Sequence, residues 1–214
     1  MDNLPFFSAP GNSRTGIFFV TLICGGSPVY KPLLIKSIPD TDRNNRQMTR
    51  ELILMRHGKS DWSKPVADYH RSIKKRGVTE SGKIGTWLQE QQLVPDLIIS
   101  SPAQRARETV ESVIGSLDYD GENIFWNESV YMADVSELLD AIATTPAQCH
   151  RLLVVGHNPG LEDLLFYLTE EVDVPDDGKV LPTATVAVLQ TESEWAELEH
   201  ASCKLGIIVR GRYL

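Results

Sequence analysis

The sequence predicts an α/β fold, a three-layer α/β/α sandwich around a mostly parallel central sheet. Three short, largely apolar runs at residues 52–55, 95–99 and 151–155 alternate with segments of helical periodicity. Nearly continuous apolar runs are typical of parallel strands that helices cover on both faces. All three runs end in polar residues, and the carboxyl ends of parallel strands are where open α/β sheets bind ligands.

The segments between the runs predict the helices and the rest of the sheet. Residues 79–88 place Ile84, Trp87 and Leu88 on one helical face, and residues 134–142 are amphipathic. Ser101 before Pro102 predicts a capped helix that runs to about residue 117, and Asn158 before Pro159 predicts another. Further strands are expected at the remaining apolar runs, which are residues 123–126, 181–189 and 205–209.

Composition and charge narrow the class of protein. The chain of 214 residues is 42% hydrophobic and 23% charged, which suits one sizeable core. A formal net charge of −8 argues against a general nucleic-acid binder, so any anion site must be a local cluster. Cys24, Cys149 and Cys203 are scattered and include no C-x-x-C pair, which indicates neither a disulfide framework nor a zinc knuckle. A reducing cytoplasm is the expected location.

The first 47 residues differ in texture from the rest and are rich in Pro, Gly, Ser and Asn. Their apolar run at residues 17–24 is too short to span a bilayer, and its flanks make a poor signal peptide. We therefore expect an appended, poorly ordered extension at residues 1–47 and a folded domain at residues 48–214. Met48 is a candidate start of the folded unit.

Cationic and imidazole groups follow each of the three apolar runs. Arg56-His57-Gly58 follows the first, Arg105 lies shortly after the second, and His157 follows the third. A guanidinium matches phosphate oxygens, an imidazole can attack phosphorus, and a helix N-terminus favours an anion. The pattern predicts phosphoryl chemistry at the carboxyl edge of the sheet.

Three motifs in the same order resemble those of the histidine phosphatase superfamily, which includes the cofactor-dependent phosphoglycerate mutases. They are residues 55–60 (MRHGKS), residues 100–109 (SSPAQRARET) and residues 156–162 (GHNPGLE). Asp68 with Arg71 and Gly77, and a late Pro-Thr-Ala at residues 182–184, are most similar to the small SixA-type phosphohistidine phosphatases. The resemblance covers residues 52–189 and implies a phosphoglycerate mutase-like fold.

The resemblance also implies a role for each matching residue. His57 would be the nucleophile that becomes phosphorylated, while Arg56, Arg105 and His157 would surround the phosphoryl oxygens. These roles agree with phosphoryl transfer, which depends on positioning and charge neutralisation. One ring nitrogen of His57 must be unprotonated, and we expect the other to donate to a backbone carbonyl in the 58–60 loop.

The remaining site residues are less strongly indicated by the sequence. Asn127-Glu128 with Tyr131 is similar to the stretch that supplies the acid in the mutases, so Glu128 is the candidate proton donor; the alternative is a solvated glutamate. Ser60, Arg71 and Asn158 are further candidates for phosphate contacts. Arg107 is expected instead to form a surface ion pair with Glu108 or Glu111.

The leading hypothesis is a metal-independent hydrolase, a phosphatase that acts through phospho-His57, with no cofactor. Its expected substrate is phosphohistidine on a protein of the histidine-containing phosphotransfer type. Alternatives are a phosphatase of small phosphorylated metabolites on the same site and a non-catalytic phosphate-binding module. A cysteine-dependent phosphatase is excluded because no cysteine begins a C-x₅-R motif. No metal site, nucleic-acid partner or membrane association is expected.

Overall fold

The computed structural model describes residues 49–119 and 121–214 in full, and residues 16–24 and 27–35 as backbone only. The chain divides into two compact units, Met1–Asn45 and Arg46–Leu214. In the first unit, β1 (Gly16–Cys24) and β2 (Ser27–Ile35) pair as an antiparallel hairpin. Residues 1–47 are predicted to be poorly ordered, and Met48 is the candidate start of the folded unit. Apart from the hairpin, these residues lie outside those that the structure describes.

The second unit is an α/β/α sandwich, which confirms the predicted fold class. The parallel part of its six-stranded sheet comprises β3 (Arg50–Arg56), β4 (Leu97–Ser100), β5 (Ile124–Trp126) and β6 (Arg151–Gly156). β7 (Thr185–Thr191) and β8 (Lys204–Arg210) add an antiparallel edge. The strand order is β5-β4-β6-β3-β7-β8.

Helices cover both faces of this sheet because its central strands are apolar on both sides. Ile53 and Met55 of β3 pack in one buried cluster with α1 (Lys75–Glu90) and α2 (Gln104–Ile114). Leu52 and Leu54 point to the opposite face by strand alternation and are also fully buried. On that side, α4 (Gly160–Leu168) contacts β3, and α3 (Val135–Ala143) contacts α4.

The predicted start of α2 was wrong by two residues. The helix begins at Gln104, with Ala103 extended at its N-cap position, rather than at Pro102. Ser101 does not cap the helix because its hydroxyl lies against the ring of His157, 2.9 Å from Nε2. The regular helix also ends at Ile114 and continues only as a turn toward Leu117.

The predicted cap of α4 was also wrong. Pro159 occupies the N-cap position and the helix begins at Gly160. The Asn158 side chain does not accept from the helix N-terminus; its Nδ2 donates to Glu162 at 2.9 Å and to the Leu181 carbonyl at 3.1 Å.

The strand expected at residues 181–189 begins four residues later, at Thr185. At Leu181 the preceding backbone bonds to side chains rather than to a neighbouring strand. Leu181 accepts from Arg56 Nη1 at 3.0 Å, and its N–H donates to Glu162 at 3.0 Å. Ala184 then takes a positive φ of 53° as the chain turns into β7.

Arg107 does not form the expected ion pair. Its Nε donates to the Pro102 carbonyl at 2.8 Å, and its guanidinium stacks on Trp126 at 4.4 Å from the ring centroid. Glu108 is engaged elsewhere, because its carboxylate accepts from the Ile73 N–H at 2.7 Å and from Gln104 at 2.8 Å. Aromatic stacking lets the flat guanidinium bury one face, which a surface ion pair would not do.

Among the described residues, no helix has the length and apolar character needed to cross a bilayer.

Candidate active site

The three polar strand ends meet at one edge of the sheet. β3, β4 and β6 are neighbours and run parallel, so their carboxyl ends lie side by side. The chain beyond each strand stays in register for one more residue: His57 N–H donates to Gly156 O at 3.1 Å, and Ser101 N–H donates to Val155 O at 3.0 Å. Strand pairing alone therefore places His57, Ser101 and His157 next to one another.

His57 is buried, and the lone pair of its Nε2 faces Arg105, whose Nε donates to it at 3.3 Å. Its Nδ1 lies 2.8 Å from the carbonyl oxygen of Gly58, to which the neutral ring donates, so Nε2 carries the lone pair. Burial, aided by the positive charges of Arg105 and Arg56, lowers the pKa of His57 to about 3. The ring is thus neutral at physiological pH, and Nε2 is a competent nucleophile for phosphorus.

Two hydrogen bonds through the Thr109 hydroxyl hold the loop after β3 in place. Gly58 N–H donates to Thr109 Oγ1 at 2.8 Å, and the Thr109 hydroxyl donates to the Arg105 carbonyl at 2.6 Å. Thr109 is fully buried and joins the His57 loop to the first turns of α2. Thr109 is the last residue of the 100–109 motif but had no predicted role, because a threonine inside a helix carries no local signal of a contact with a distant loop.

Arg105 faces the nucleophile from the first turn of α2. Its Nε lies 3.3 Å from His57 Nε2, and the residue is only 4% exposed. Its terminal nitrogens both contact Asp68, one at the backbone oxygen (2.7 Å) and one at the carboxylate (2.9 Å). In the sequence, Asp68 belongs to a motif but has no predicted role in the site.

Arg56 completes the cationic side of the pocket. Its Nη1 donates to the Leu181 carbonyl, while its Nε is buried without a partner among the described residues. Asn158 shares the same Leu181 acceptor, so it lies beside Arg56. An unpaired buried N–H on a charged group is costly unless a ligand accepts from it.

His157 stacks at an angle against His57, with 5.0 Å between the ring centroids. Burial, and next the neighbouring His57 and Arg105, lower its pKa to about 3, so this ring is also neutral. Its Nε2 contacts Ser101 Oγ, whereas its Nδ1 is buried with no partner in the described part of the chain. From the sequence, Ser101 is predicted only to cap a helix, so its contact with His157 is a feature of the tertiary structure.

The other candidates lie around the mouth of this pocket. Arg71 pairs with the Asp68 carboxylate at 2.7 Å and stacks on Trp62, 3.3 Å from the ring centroid. Ser60 is buried and lies in an isolated bridge with Ile73. Neither the contacts of Arg71 nor those of Ser60 include His57.

Glu128 lies on the rim, connected to the pocket through two tyrosines. Its carboxylate accepts from Tyr69 Oη at 2.9 Å, and the Tyr69 and Tyr131 rings meet edge to face with centroids 5.0 Å apart. Tyr131 in turn packs against His157 at 5.4 Å and donates to the Asp68 carboxylate at 2.9 Å. The rim therefore carries two aromatic rings and two carboxylates above the cationic pocket.

Two neutral imidazoles and two guanidiniums, from three strand ends, thus surround one small space. The model of the histidine phosphatase superfamily (branch 1) matches residues 52–124. An uncharacterized protein of Mycobacterium tuberculosis is 30% identical over 150 residues, which cover 68% of this chain and 92% of that protein. The chain belongs to the histidine phosphatase superfamily.

Solved structures place this histidine phosphatase near the SixA proteins. The SixA protein of Nakamurella multipartitia is 27% identical with a TM-score of 0.67, and the match covers 76% of this chain and 96% of that one. The SixA protein of Agrobacterium tumefaciens is 25% identical with a TM-score of 0.61, covering 75% and 97%. The family and this SixA-like, phosphoglycerate mutase-like fold support a phosphatase.

Proposed function

We propose that this histidine phosphatase hydrolyses phosphohistidine on a protein, through a phosphorylated His57 intermediate and without a metal ion. The observation that carries the proposal is the pairing of His57 with Arg105. Arg105 Nε donates a hydrogen bond of 3.3 Å to the lone pair of a neutral His57 Nε2, in a pocket whose Arg56 Nε and His157 Nδ1 have no protein partner among the described residues. Such a pocket suits a tetrahedral anion bound directly in front of a nucleophile.

The proposed reaction has two displacements at phosphorus. His57 Nε2 forms a bond to phosphorus while the bond to the leaving nitrogen breaks, and the leaving imidazole takes up a proton from Glu128. The Nδ1–H of His57 remains bonded to Gly58 O, so the phosphorylated ring is cationic and makes a good leaving group. Water then attacks phosphorus and gives its proton to the Glu128 carboxylate while the bond between phosphorus and His57 Nε2 breaks. Inorganic phosphate departs, and neutral His57 and protonated Glu128 are restored.

Arg56, Arg105 and His157 are the proposed binders of the phosphoryl oxygens. Two guanidiniums supply fixed positive charge, which offsets the charge of the transferring group. Arg71, Asn158 and Ser60 are proposed to support this set from outside. Arg71 would act through Asp68, Asn158 through the Leu181 carbonyl that it shares with Arg56, and Ser60 through the loop after Gly58.

The rim favours a protein substrate over a small metabolite. Trp62 is 69% exposed and Met132 is 54% exposed, although Met132 Sδ lies 3.9 Å from Arg105 and Trp62 stacks on Arg71. We propose that a protein substrate covers these two side chains when its phosphohistidine enters the pocket. A phosphatase of small metabolites on the same site remains the second candidate.

A cytoplasmic location is part of the proposal. Cys149 and Cys203 are buried free thiols, and neither pairs in a disulfide. Burial raises the pKa of the Cys203 thiol, which keeps it protonated and unreactive. Both features suit a reducing compartment.

The test compares the full-length protein with His57→Ala and with His200→Ala, which removes an exposed histidine far along the chain. Hydrolysis of a phosphorylated histidine-containing phosphotransfer protein, of p-nitrophenyl phosphate and of a sugar phosphate would be measured side by side. We expect the phosphoprotein to be the best substrate. Wild type and His200→Ala should form an acid-labile phosphoenzyme, whereas His57→Ala should lose both turnover and the phosphoenzyme.

Turnover that survives in His57→Ala would refute the mechanism. A faster sugar phosphate would select the second candidate, and phosphate binding without any phosphoenzyme would indicate a non-catalytic module.

A further inference from the structure

We propose that Ser101 is a positioning residue that fixes the proton of His157 on Nδ1, so that this ring donates a hydrogen bond to the bound phosphoryl group. The inference rests on the proposed function, since it describes how the same pocket binds its anion. It concerns a residue that contacts His157 from outside the pocket.

The contacts of Ser101 determine where its hydroxyl proton points. Ser101 is fully buried, and its backbone N–H is held by Val155 O at 3.0 Å. Its Oγ accepts from the Ala103 N–H at 3.3 Å and lies 2.9 Å from His157 Nε2. With one hydrogen bond already accepted, the hydroxyl has its own proton free to donate to the ring nitrogen.

A neutral histidine carries one ring proton, so the two nitrogens have opposite roles. If Ser101 donates to Nε2, that nitrogen is the acceptor and the proton lies on Nδ1. The buried Nδ1, which has no partner among the described residues, then presents an N–H to the pocket. A bound phosphoryl oxygen satisfies this donor.

The other tautomer leaves two groups unsatisfied. With the proton on Nε2, His157 would donate to Ser101, and the serine proton would need another acceptor. None is present at the Ser101 hydroxyl in the part of the chain that the structure describes. The bare Nδ1 would in addition turn a lone pair toward an anion, which repels it.

Protonation of both nitrogens does not provide a third arrangement. Burial, with the nearby His57 and Arg105, lowers the pKa of His157 to about 3, so the ring is neutral under ordinary conditions. The two imidazoles then carry the same tautomer for opposite purposes. Gly58 O takes the Nδ1 proton of His57 and exposes a nucleophilic Nε2, whereas Ser101 occupies Nε2 of His157 and exposes an Nδ1–H donor.

The experiment reads the tautomer directly by long-range ¹⁵N–¹H NMR on the labelled full-length protein, with His157→Gln used to assign the signals. Inorganic phosphate binding is measured in parallel for wild type, Ser101→Ala and Ser101→Thr. The control is Ser100→Ala, which removes a neighbouring buried hydroxyl that donates only to the Ser101 carbonyl.

We expect an Nδ1–H signal for His157 in wild type, Ser101→Thr and Ser100→Ala. Ser101→Ala should shift the proton toward Nε2 and weaken phosphate binding about tenfold to a hundredfold, the effect of losing one hydrogen bond to a charged group. Ser101→Thr should bind phosphate close to wild type, because its hydroxyl restores the donor.

Three results would overturn the proposal: a wild-type His157 protonated on Nε2, unchanged phosphate binding in Ser101→Ala, or weakened binding with the tautomer unchanged. If Ser101→Ala fails to fold, the tautomer of His157 in wild type and the binding of phosphate by Ser101→Thr still test the proposal. None of these measurements needs turnover. A protein that forms no phosphoenzyme but shows the Nδ1–H tautomer would refute the proposed function and leave this inference intact.

Discussion

Asp68 holds Arg105 at two points, through its backbone oxygen at 2.7 Å and its carboxylate at 2.9 Å. The same carboxylate pairs with Arg71 and accepts from Tyr131. Burial acts to raise the pKa of Asp68, but the Tyr131 hydrogen bond and the charge of Arg105 outweigh it and lower the pKa below its usual value. An ionised carboxylate therefore lies on the guanidinium that is proposed to bind the substrate anion.

Asp68→Asn should tighten the binding of inorganic phosphate. The substitution removes a negative charge beside the anion site, while the backbone oxygen of residue 68 still orients Arg105. Because the carboxylate is 46% exposed and screened by solvent, we expect only about a threefold to tenfold gain. This gain in affinity is measured as a lower inhibition constant for inorganic phosphate in a competitive-inhibition assay. Weaker binding would mean that orientation of Arg105 by the carboxylate outweighs its repulsion of the ligand.

Glu128→Gln should separate substrates by their leaving groups. An alkoxide leaves poorly without a proton, so hydrolysis of an alkyl phosphate should fall about 10²-fold or more. p-Nitrophenyl phosphate has a stable leaving group and should be hydrolysed at nearly the wild-type rate. The measurement is the ratio of kcat for the two esters. A ratio unchanged in Glu128→Gln but shifted in Asp68→Asn would transfer the proton-donor role to Asp68.

Gly77→Ala should destabilise the protein, because the first turn of α1 contacts the loop that follows His57. A Cβ at Gly77 would lie 2.8 Å from the Lys59 backbone nitrogen, closer than carbon and nitrogen normally approach. We expect the free energy of unfolding to fall by about 1–3 kcal/mol in urea titrations.

Gly82→Ala is the matched control in the same helix. A Cβ there would meet Ser116 Oγ at an ordinary 3.6 Å, so the better helix propensity of alanine should raise stability by about 0.5–1 kcal/mol. Equal effects of the two substitutions would show that packing against Lys59 is not what requires glycine at position 77.

Stability should increase with pH between about 3 and 6.5 because of the two pocket histidines. Burial lowers the pKa of His57 and of His157 from the ordinary value of 6.5 to about 3. Between these values the unfolded chain binds more protons than the folded one, so the stabilisation is complete above pH 6.5 and is lost as the pH falls. Each histidine contributes a slope of up to about 1.4 kcal/mol per pH unit.

Urea unfolding at several pH values measures that slope. His57→Gln should reduce it, whereas His200→Gln, at an exposed position, should keep the wild-type slope. The same slope in both variants would indicate that His57 is not buried in its neutral form.

The sequence alone determined the fold class and the four central groups of the site. Continuous apolar runs specify buried parallel strands, and parallel neighbours bring their carboxyl ends to one edge, so Arg56, His57, Arg105 and His157 could be expected to converge. Strand pairing carries this information because it is set by hydrophobic pattern and depends little on individual side-chain contacts.

Only the tertiary structure decided which side chains serve the pocket groups and where the connecting segments turn. Ser101 and Asn158 look like helix caps in sequence, but their polar atoms are used by His157 and by Glu162 with Leu181. Asp68 and Thr109 reach Arg105 and Gly58 across 37 and 51 positions of the chain. A short polar side chain bonds to whichever partner the packed core brings within about 3 Å, and local sequence does not contain that distance.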